Sequence, residues 1–576
     1  MGINANYMTW NPLYLIDSSY PPATPVEQGN LVLNTSNSNV GIGATQSFFT
    51  GKWYYEILVV TEGKFLMGLL TLDTFNSQKV QPHNRTGSYW VDNDGTKYVQ
   101  SANSSISGFN PSDGDIIQFA FDRDARKLWV GLNGTYVGSG NPSAGSNELF
   151  SASDFAISTG AFMPAIGLYN SATTKCVLNA GQDSSFIQNK ASGSANAVDA
   201  NGFGNFFYTP PTNFLACASS NIPTSADIDP AGEDGETENP TKQFNTVLYS
   251  GTGSAQSIDA GLQADFVWAK NRASQSHRLA DSTRGSAVLF SDTTDANDTT
   301  AGISFDSDGF NWTNTDGSNA NDSGANYVAW CWRCNGGVTN SNSEGTITNT
   351  LQANTKAGFS ISSFTCPSSG AGTLGHGLEK APDFFIFKPL GAGTYWRVWH
   401  KDFATPLRSV MYLQLTAGEN QGASDAQQWN NTLPSSTLIS LGGGQAGEGA
   451  SILYAWHGVE GYSKFGSYKG LANNDGPFIY TGFRPRLIMI KQLEQTGTEW
   501  GVYDTARCTS NPNGRFLFWN GANVENDGES FPARALDVTS NGFKIRDGSS
   551  GMTNNNGRLH IYAAFGDVPF KYNNTF

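Results

Sequence analysis

Three segments in the second half of the chain share a pattern that strongly constrains the fold. Each is a short apolar strand that ends in lysine: ADFVWAKN (264–271), PDFFIFKP (382–389) and PRLIMIKQ (485–492). Their starting positions lie 118 and 103 residues apart, which is too long for a one-motif solenoid and suits small β-sandwich units stacked end to end. The recurrence predicts an internal repeat. The competing interpretation is a coincidence between common strand patterns.

The match between the three copies extends beyond one strand. Each copy continues to a run that ends in Asp or His: HRLAD (277–281), WRVWH (396–400) and WGVYD (500–504). Each closes on a strand that contains alanine: YVAW (327–330), LYAW (453–456) and IYAA (561–564). The first and third copies also share a strand, turn and strand, SFDSDGFNW (304–312) and DVTSNGFKI (537–545), where the second copy has TLISLGGG (437–444). We therefore expect β repeats over 244–350, 351–474 and 475–576.

The rest of the chain also has the periodicity of strands. Short runs such as 53–60, 116–121 and 128–132 are closed by Gly, Asn or Asp turns, and we find no amphipathic helix longer than about three turns. A chain of 576 residues is too long for one core. The acidic, Pro- and Gly-containing stretch 223–243 reads as a linker or surface loop after a first domain over 1–222. The predicted fold class is all-β, with an N-terminal sandwich followed by three related sandwich-like repeats.

Composition narrows the class of protein further. Charged residues are only 14% of the chain and aromatic residues 12%, so Asn, Ser, Thr, Gln and Gly supply the polarity, as is typical of extracellular or virion β-proteins. The 36 Phe, 21 Tyr and 14 Trp residues argue against disorder. A net charge of -15 disfavours a nucleic-acid partner. Neither a signal-peptide pattern nor an apolar run of about 18 residues occurs, so we expect no membrane insertion.

The N-terminal half contains a set of motifs in a specific order: WNP (10–12), GKWYYEI (51–57), GDIIQFAFD (114–122), KLWVGLNG (127–134) and FMPAIGLY (162–169). Over about residues 8–215 this order resembles the SPRY (B30.2-like) domain. The resemblance implies a β-sandwich, in which these residues build the fold. It also implies loops at one end that can hold a peptide, for which 73–89 and 139–155 are the candidates.

Segments further along resemble phage and marine-metagenome proteins described as tail-fibre or virion structural proteins: FFYTPPTNFLACASSNIP (206–223), AWCW (329–332), EGYSKFGSYKG (460–470) and GPFIYTGFRP (476–485). That resemblance implies a virion location and supplies no mechanism. We expect a tail-fibre or tail-appendage subunit that self-assembles, by analogy as a homotrimer, and contacts other virion proteins and a host-surface glycan or protein. The alternative is a capsid-decoration or other purely structural subunit. It is favoured by a SPRY-like pattern that begins near Trp10 and leaves no obvious anchoring domain.

The sequence predicts no enzyme, no metal site and no cofactor. Cys331 and Cys334 form one C-x-x-C without a second ligand pair, and the six cysteines are scattered as expected of reduced, mostly buried thiols. Neither a G-x-S-x-G elbow nor a phosphate-binding loop occurs. A polysaccharide depolymerase stays open because two carboxylates suffice for glycoside hydrolysis, with Asp306/Asp308 and Asp402/Glu419 as candidate pairs. Calcium binding stays open for two sets of hard oxygen ligands in loops: Asp292, Asp295, Asn297 and Asp298, and Asp316, Asn319, Asn321 and Asp322.

Aromatic residues are the candidate ligand-binding groups, because a sugar ring stacks its apolar face on Trp or Tyr while nearby polar groups bond the hydroxyls. Four tryptophans lie near polar loops and are the predicted sites: Trp312, Trp396, Trp429 and Trp519. Tryptophans within strands are assigned to the core: Trp53, Trp268, Trp330 and Trp456.

Overall fold

The structure is a computed structural model of the whole chain. It describes residues 6–15, 26–35, 41–71, 87–155, 161–168, 172–191, 197–223, 228, 238–300, 302–313, 320–420, 427–445, 448–526, 534–548 and 550–569. The chain divides into two compact units, Met1–Pro223 and Thr224–Phe576, and the division falls at the start of the predicted acidic linker. Nearly all regular structure is β, as the sequence predicted. Among the described residues, no helix has both the length and the apolar character to cross a membrane.

The N-terminal unit is built from two antiparallel sheets, which confirms the predicted β-sandwich class. Its strands are β1 (Trp10–Leu15), β2 (Val26–Glu27), β3 (Val32–Thr35), β4 (Gly41–Ala44), β5 (Lys52–Thr61), β6 (Phe65–Thr71), β7 (Ser88–Asp92), β8 (Thr96–Val99), β9 (Ala102–Ser105), β10 (Ile116–Asp122), β11 (Lys127–Leu132), β12 (Thr135–Tyr136), β13 (Phe162–Leu168), β14 (Thr174–Asn179) and β15 (Leu215–Ala216). One sheet has the order β1-β4-β13-β6-β7-β8-β9 and the other β12-β11-β10-β5-β14-β3-β2, with β15 beside β5. Short 3-10 turns lie at Val137–Ser139, Pro142–Ala144 and Ser219–Asn221.

Local sequence explains two features of the sheet that contains β5: its hairpin turn and the burial of its central strand on both faces. Asn133 and Gly134 both have positive φ, 50° and 86°, as a two-residue hairpin between β11 and β12 requires. The central strand β5 is buried on both faces, because the segment around Phe206 and Phe214 covers its outer side. Glu56 lies beneath that cover, where it accepts hydrogen bonds from the backbone amides of Phe207 and Tyr208 (3.0 and 2.8 Å). Burial raises the pKa of Glu56 to about 7.

The strands of the C-terminal unit fall into three groups, which we number as the first, second and third repeats. First-repeat strands are β16 (Phe244–Ser250), β17 (Gln256–Asp259), β18 (Phe266–Asn271), β19 (Arg278–Asp281), β20 (Val288–Leu289), β21 (Ile303–Phe305), β22 (Gly309–Trp312) and β23 (Asn326–Trp332). Second-repeat strands are β24 (Asn340–Asn342), β25 (Asn349–Asn354), β26 (Phe359–Thr365), β27 (Gly372–Gly375), β28 (Phe384–Pro389), β29 (Arg397–His400), β30 (Met411–Tyr412), β31 (Leu438–Leu441) and β32 (Ala450–Trp456). Third-repeat strands are β33 (Ser463–Lys469), β34 (Phe478–Tyr480), β35 (Phe483–Gln492), β36 (Gly501–Asp504), β37 (Phe516–Phe518), β38 (Leu536–Thr539), β39 (Gly542–Ile545) and β40 (Leu559–Pro569). Short 3-10 turns lie at Pro240–Lys242 and Gly443–Gln445.

All three repeats share one five-strand order in their large sheets. The first and third each form a five-stranded sheet, β16-β23-β18-β19-β20 and β33-β40-β35-β36-β37, against a three-stranded sheet, β17-β22-β21 and β34-β39-β38. The second repeat keeps the core order β26-β32-β28-β29-β30, adds β24 and β25 at one edge and reduces the small sheet to β27-β31. The motif TLISLGGG therefore contains the single strand β31, which takes the place of the β21–β22 and β38–β39 hairpins of the other two repeats. Strand β33 precedes the predicted boundary at 474 and pairs with β40 beyond it, so the sheet of the third repeat starts at Ser463.

Strand register corrects one detail of the sequence alignment. In each repeat the strand that ends in lysine pairs with the closing strand, and Phe266, Phe384 and Leu487 lie opposite Trp332, Trp456 and Phe565. In this register residues 329–330 of the first repeat are equivalent to residues 453–454 of the second. The matching AW dipeptides at 329–330 and 455–456 are therefore two positions out of register. Residues on one face of a strand recur every second position, so an offset of two preserves the apolar pattern and sequence alone does not detect it.

The repeats share one core, and this overturns the expectation of units stacked end to end. Rings from different repeats meet at its centre: Phe266 stacks on Tyr454 at 4.4 Å, Phe384 on Phe465 at 5.8 Å and Phe244 on Phe565 at 5.4 Å between ring centroids. The equivalent residues Trp332 and Trp456 lie 6.2 Å apart, and Trp332 lies 5.5 Å from Phe565. The three large sheets therefore face one another around a pseudo-threefold centre. The first and third repeats each keep a second, smaller core between their two sheets.

The recurring lysines anchor the loops that follow their strands. Lys270 donates to the carbonyls of Asn271 and Ala273 (2.6 and 3.2 Å), and Lys388 donates to the carbonyl of Thr394 (2.9 Å). Lys491 bonds the carbonyl of Thr498 and lies 5.7 Å from the ring of Trp500. Burial lowers the pKa of Lys270 and Lys388 to about 8 and that of Lys491 to about 7. Each repeat thus uses one buried amine to fix the same loop.

We expect Trp332→Ala to destabilise the whole C-terminal unit by about 3–5 kcal/mol, because it removes a large ring from the shared centre. Amide hydrogen exchange in strands β18, β28 and β35 would be measured at increasing urea concentration. The amides of all three strands should lose their protection at the same concentration. Leu433→Ala, at a site 49% exposed, is the control and should change little. Loss of protection in the first repeat alone would contradict a shared core.

Lys491→Met should change stability in a pH-dependent way. Between about pH 7 and 10.5 the unfolded chain keeps the Lys491 proton while the folded chain has lost it, so raising the pH stabilises the wild type relative to a variant without this amine. The free energy of unfolding of both proteins would be measured at pH 6.5, 8 and 9.5. We expect the difference to shift in favour of the wild type as pH rises. A difference that does not vary with pH would show that the amine keeps its ordinary pKa.

Candidate functional site

The structure buries all four tryptophans that the sequence assigned to sugar stacking, and so corrects that expectation. Trp312 and Trp429 are 1% exposed, Trp396 is 0% exposed and Trp519 is 2% exposed. The indole N–H of Trp396 donates to the carbonyl of Phe290 (2.8 Å), and Trp519 stacks on Trp268 at 4.2 Å. A ring that stacks on a sugar must offer a face to solvent. These four rings pack the core.

The other predicted groups lie in structural positions. Five of the six cysteines are buried, as predicted, and they include Cys331 and Cys334. Burial raises the pKa of both of these thiols. Asp306 accepts a hydrogen bond from the Asn311 side chain (2.8 Å), and Asp308 is exposed in the same turn. Glu419 instead accepts bonds from the amides of Ala404 and Thr405 (3.1 and 3.2 Å).

The predicted loops are described only in part. Residues 73–86, Asp316 and Asn319 lie outside the described residues. The loop 139–155 is tied down by Trp129, whose indole donates to the carbonyl of Ser146 (2.8 Å). Asp295 and Asp298 bond Thr293 and Thr300 within their own turns (2.8 and 2.7 Å). Within the described part of the chain, no group of three or more His, Cys, Asp or Glu residues could hold a metal ion.

The most site-like geometry lies where neighbouring repeats join. At each of the three junctions, the loop after the lysine strand of one repeat forms two backbone hydrogen bonds with a segment of a neighbouring repeat. That segment follows the last strand in the five-strand order, which is β20, β30 or β37. The pairs are Gln275 to Ala522 and Glu525 to Arg272 (3.0 and 2.8 Å), Gly393 to Thr294 and Asn297 to Leu390 (2.8 and 2.9 Å), and Gly497 to Thr416 and Glu419 to Leu493 (3.0 and 2.6 Å), donor first. Repeats one, three and two are thereby joined in a closed cycle.

A pocket of about 430 Å³ lies at the junction of the first and third repeats. We call it the junction pocket; it is lined by Asn271, Arg272, Ala273, Arg515, Val524 and Glu525 together with the backbone turn at 324–326. The wall formed by Asn271 and Ala273 is fixed in place, because the buried Lys270 amine donates hydrogen bonds to both of their carbonyls. The Asn271 side chain also accepts from the amide of Ala273 (2.8 Å). The pocket is therefore formed before any ligand arrives.

An ion network crosses the junction pocket. Arg272 donates two hydrogen bonds to the two carboxylate oxygens of Glu525 (3.0 and 2.7 Å), a bidentate pair that also joins the two repeats. Buried Arg507 reaches the same carboxylate at 3.2 Å and bonds Asp504 from its other side. Arg515 comes no nearer to Glu525 than 4.0 Å, and its side chain is 42% exposed. Of these guanidinium groups, the one most available to a ligand is therefore that of Arg515.

The equivalent positions at the other two junctions carry different residues. Arg272 corresponds to Leu390 and Leu493, and Glu525 corresponds to Asn297 and Glu419. Arg284, which occupies the position of Arg507, donates to Asn297 at 2.6 Å where Arg507 donates to Glu525. Only the first and third repeats therefore meet through an arginine and a carboxylate at these two positions.

The exposed aromatic group in the second repeat is the neighbour of a predicted residue. Tyr395, directly before Trp396, is 45% exposed. Its ring lies 5.2 Å from that of Tyr412. Sequence reasoning selected Trp396 because of residue type, but alternation along the chain turns Tyr395 outwards when Trp396 turns inwards. For the junction pocket, the sequence signal would have been Arg272, where both other repeats have leucine.

The C-terminal unit is thus a three-repeat β protein in which the junction of the first and third repeats forms a pocket with charged residues in its lining. A family model described as a domain of unknown function, DUF7483, matches residues 239–569. Because that match covers more than half of the chain, the protein belongs to this family. The matched residues include the strands of all three repeats and lie outside the N-terminal sandwich.

Other similarities cover smaller parts of the chain. The dual specificity protein kinase splA of Dictyostelium discoideum is 33% identical over 109 residues, which are 18% of this chain and 4% of the kinase. The chain therefore spans a very small part of that relative. Two solved structures are also similar. The SPRY domain of human HERC1 has 16% identity over 29% of this chain and 96% of that one, at a TM-score of 0.24. The TRIM65 PSpry domain has 10% identity over 30% and 89%, at a TM-score of 0.22.

Exchange of junction residues between repeats tests the ion network. Glu525→Asn should destabilise the protein by about 3 kcal/mol, because Arg272 loses its partner and buried Arg507 loses a carboxylate. The double variant Arg272→Leu/Glu525→Asn imports the leucine and asparagine of the junction between the first and second repeats. It should recover most of the lost free energy of unfolding, as measured by urea denaturation. Equal stability of the single and double variants would contradict equivalence of the junctions.

Proposed function

We propose that the protein is a structural subunit of a tailed-phage particle, namely a tail-fibre or tail-appendage subunit that contacts a glycan or another receptor on the host envelope. The observation that carries this proposal is the junction pocket, which is open to solvent and is lined by both charged and apolar side chains. Its volume of about 430 Å³ lies within the roughly 300–1,000 Å³ of small-ligand sites. The sequence resemblance of the segments around 206–223 and 460–485 to virion structural proteins supports the location on a particle.

The chemistry of the surface supports glycan contact. Val524 is 64% exposed at the pocket and supplies an apolar patch, while the exposed residue Asn326 brings an amide. Tyr395 offers a second aromatic surface, on the second repeat, against which a sugar ring can stack. Sugar recognition needs this combination of apolar faces and hydrogen-bonding groups. We propose contact without turnover, so that the protein is not an enzyme.

Assembly would convert weak sites into firm adsorption. A homotrimer on a particle presents at least three copies of the pocket, and linked sites gain affinity without new contacts. The partners in this proposal are other virion proteins, further copies of the chain and the host surface. Nucleic acid is disfavoured by the net charge of -15.

The test is binding of the full-length protein to an array of bacterial surface glycans. Wild type should bind a subset, and Ala273→Trp should lose that binding, because Ala273 is an exposed residue of the pocket wall. Ala404→Trp places the same ring at another exposed alanine of the C-terminal unit and should bind as wild type. Circular dichroism would show that both variants fold.

Two results would contradict the proposal. One is binding to glycans that Ala273→Trp leaves unchanged, which would remove the pocket as the contact site. The other is antibody labelling of intact particles at the capsid, which would indicate a decoration subunit. Release of reducing ends from a bound glycan would contradict the assignment as a non-enzyme and favour a depolymerase.

A further inference from the structure

The junction pocket carries a charged residue, Arg272, at a position that is apolar at the other two junctions. Leucine occupies the place of Arg272 at the other two junctions, so the backbone cycle closes without an arginine there. The Arg272–Glu525 pair is therefore not required to join repeats. Asp281 and Arg284 form the counterpart of the Asp504–Arg507 pair at another junction, so the Arg272–Glu525 pair is what distinguishes this one. Desolvation of charged groups costs free energy, so an added charged pair at one of three equivalent places indicates a role other than folding.

The network has more positive than negative groups. Three guanidinium groups, of Arg272, Arg507 and Arg515, face the two carboxylates of Glu525 and Asp504. Both oxygens of Glu525 already accept bonds from Arg272, and one also accepts from Arg507. Arg515 is the outermost of the three and reaches Glu525 only at 4.0 Å. Within the described part of the network, Arg515 is therefore the guanidinium available to a ligand, at a solvent-facing edge.

Three further charged groups lie just behind the pocket. Buried Lys270 lies close enough to Arg507 and Glu525 to interact electrostatically with both, and the Asp292 carboxylate acts on the same amine. The Asp322 carboxylate, beside the turn at 324–326, accepts a hydrogen bond from the Gln275 side chain (2.9 Å). The chain as a whole is negative, but salt screens distant surface charges beyond about 8–10 Å. Arg515 is the outermost guanidinium of the network, so it is the one that a charged ligand entering the pocket contacts first.

We propose that the junction pocket binds one acidic sugar unit of a surface polysaccharide, with its carboxylate on Arg515 and its ring against Val524. This inference rests on the proposed glycan contact and specifies its chemical class. A planar guanidinium matches a carboxylate through two parallel hydrogen bonds, and a ligand with one negative charge neutralises one unpaired guanidinium. The pocket opens to solvent beside exposed Val524, so a unit within a longer chain can enter from the side.

The experiment compares an oligomer of galacturonic acid with its methyl ester, which has the same ring and no charge. Binding of both to the full-length protein would be measured by titration calorimetry at low and high salt. We expect wild type to prefer the acid about tenfold or more, with the preference reduced at high salt. Arg515→Gln should lower affinity for the acid by about tenfold and leave any binding of the ester unchanged.

Two further variants control for charge and geometry. Arg558→Gln removes another exposed arginine that forms a surface ion pair, with Glu494 at 3.4 Å, and should bind the acid as wild type does. Arg515→Lys keeps the charge without the planar fork and should give an intermediate affinity.

The outcomes separate this inference from the function on which it rests. Equal binding of acid and ester by wild type, or an Arg515→Gln variant with unchanged affinity, would overturn the acidic-sugar assignment while glycan contact stands. A failure to bind any saccharide on the array would contradict the proposed function itself. Tighter binding of sulfated than of carboxylated oligomers would also overturn the assignment.

Discussion

The C-terminal unit depends on the meeting of three aromatic sheet faces at one centre. Trp332, Trp456 and Phe565 occupy equivalent positions and converge there, and rings such as Phe266 and Phe384 surround them. A five-stranded sheet with this face uncovered would leave large rings in water, at a cost of roughly 25 cal/mol per Å² of apolar surface. Each repeat therefore completes its core only with the other two. This explains why β18 and β28 are buried along their whole length rather than alternately.

Polar contacts between repeats follow the same cycle and fix its order. Tyr454 of the second repeat donates to Asp281 of the first (2.7 Å), and Trp330 of the first donates to Asp504 of the third (3.1 Å). His400 of the second lies 3.4 Å from the carbonyl of Tyr562 of the third. Asp281, His400 and Asp504 are the residues that end the three matching sequence runs. A buried polar group needs a specific partner, so these contacts select one arrangement of sheets that hydrophobic packing alone would allow to slide.

The sequence predicted the elements well and their assembly poorly, for physical reasons. Strand positions such as Lys52–Thr61 and the hairpin at Asn133–Gly134 follow from local propensity and turn chemistry. The lysine that ends each repeated strand marked the repeats because a buried amine at that place does the same task three times. Whether repeats stack in a row or close on a common core depends on contacts between residues about a hundred or more positions apart, which no local pattern encodes. The prediction that four tryptophans contact a ligand was wrong, because the presence of a polar loop nearby does not determine the direction in which a side chain points.

The junction pocket was beyond local reasoning for the same reason, since Arg272 and Glu525 are separated by 253 positions. At the equivalent backbone bonds of the three junctions, however, the pocket has Arg272 where the other two copies have leucine. Residues that hold the cycle together recur in type or geometry, as the buried lysines and the paired backbone bonds do. A residue such as Arg515, which is exposed and adds little to that framework, is free to be selected for what it contacts. Pseudo-symmetry thus separates the groups that build this fold from those available for binding, because folding constrains all three copies and a ligand needs only one.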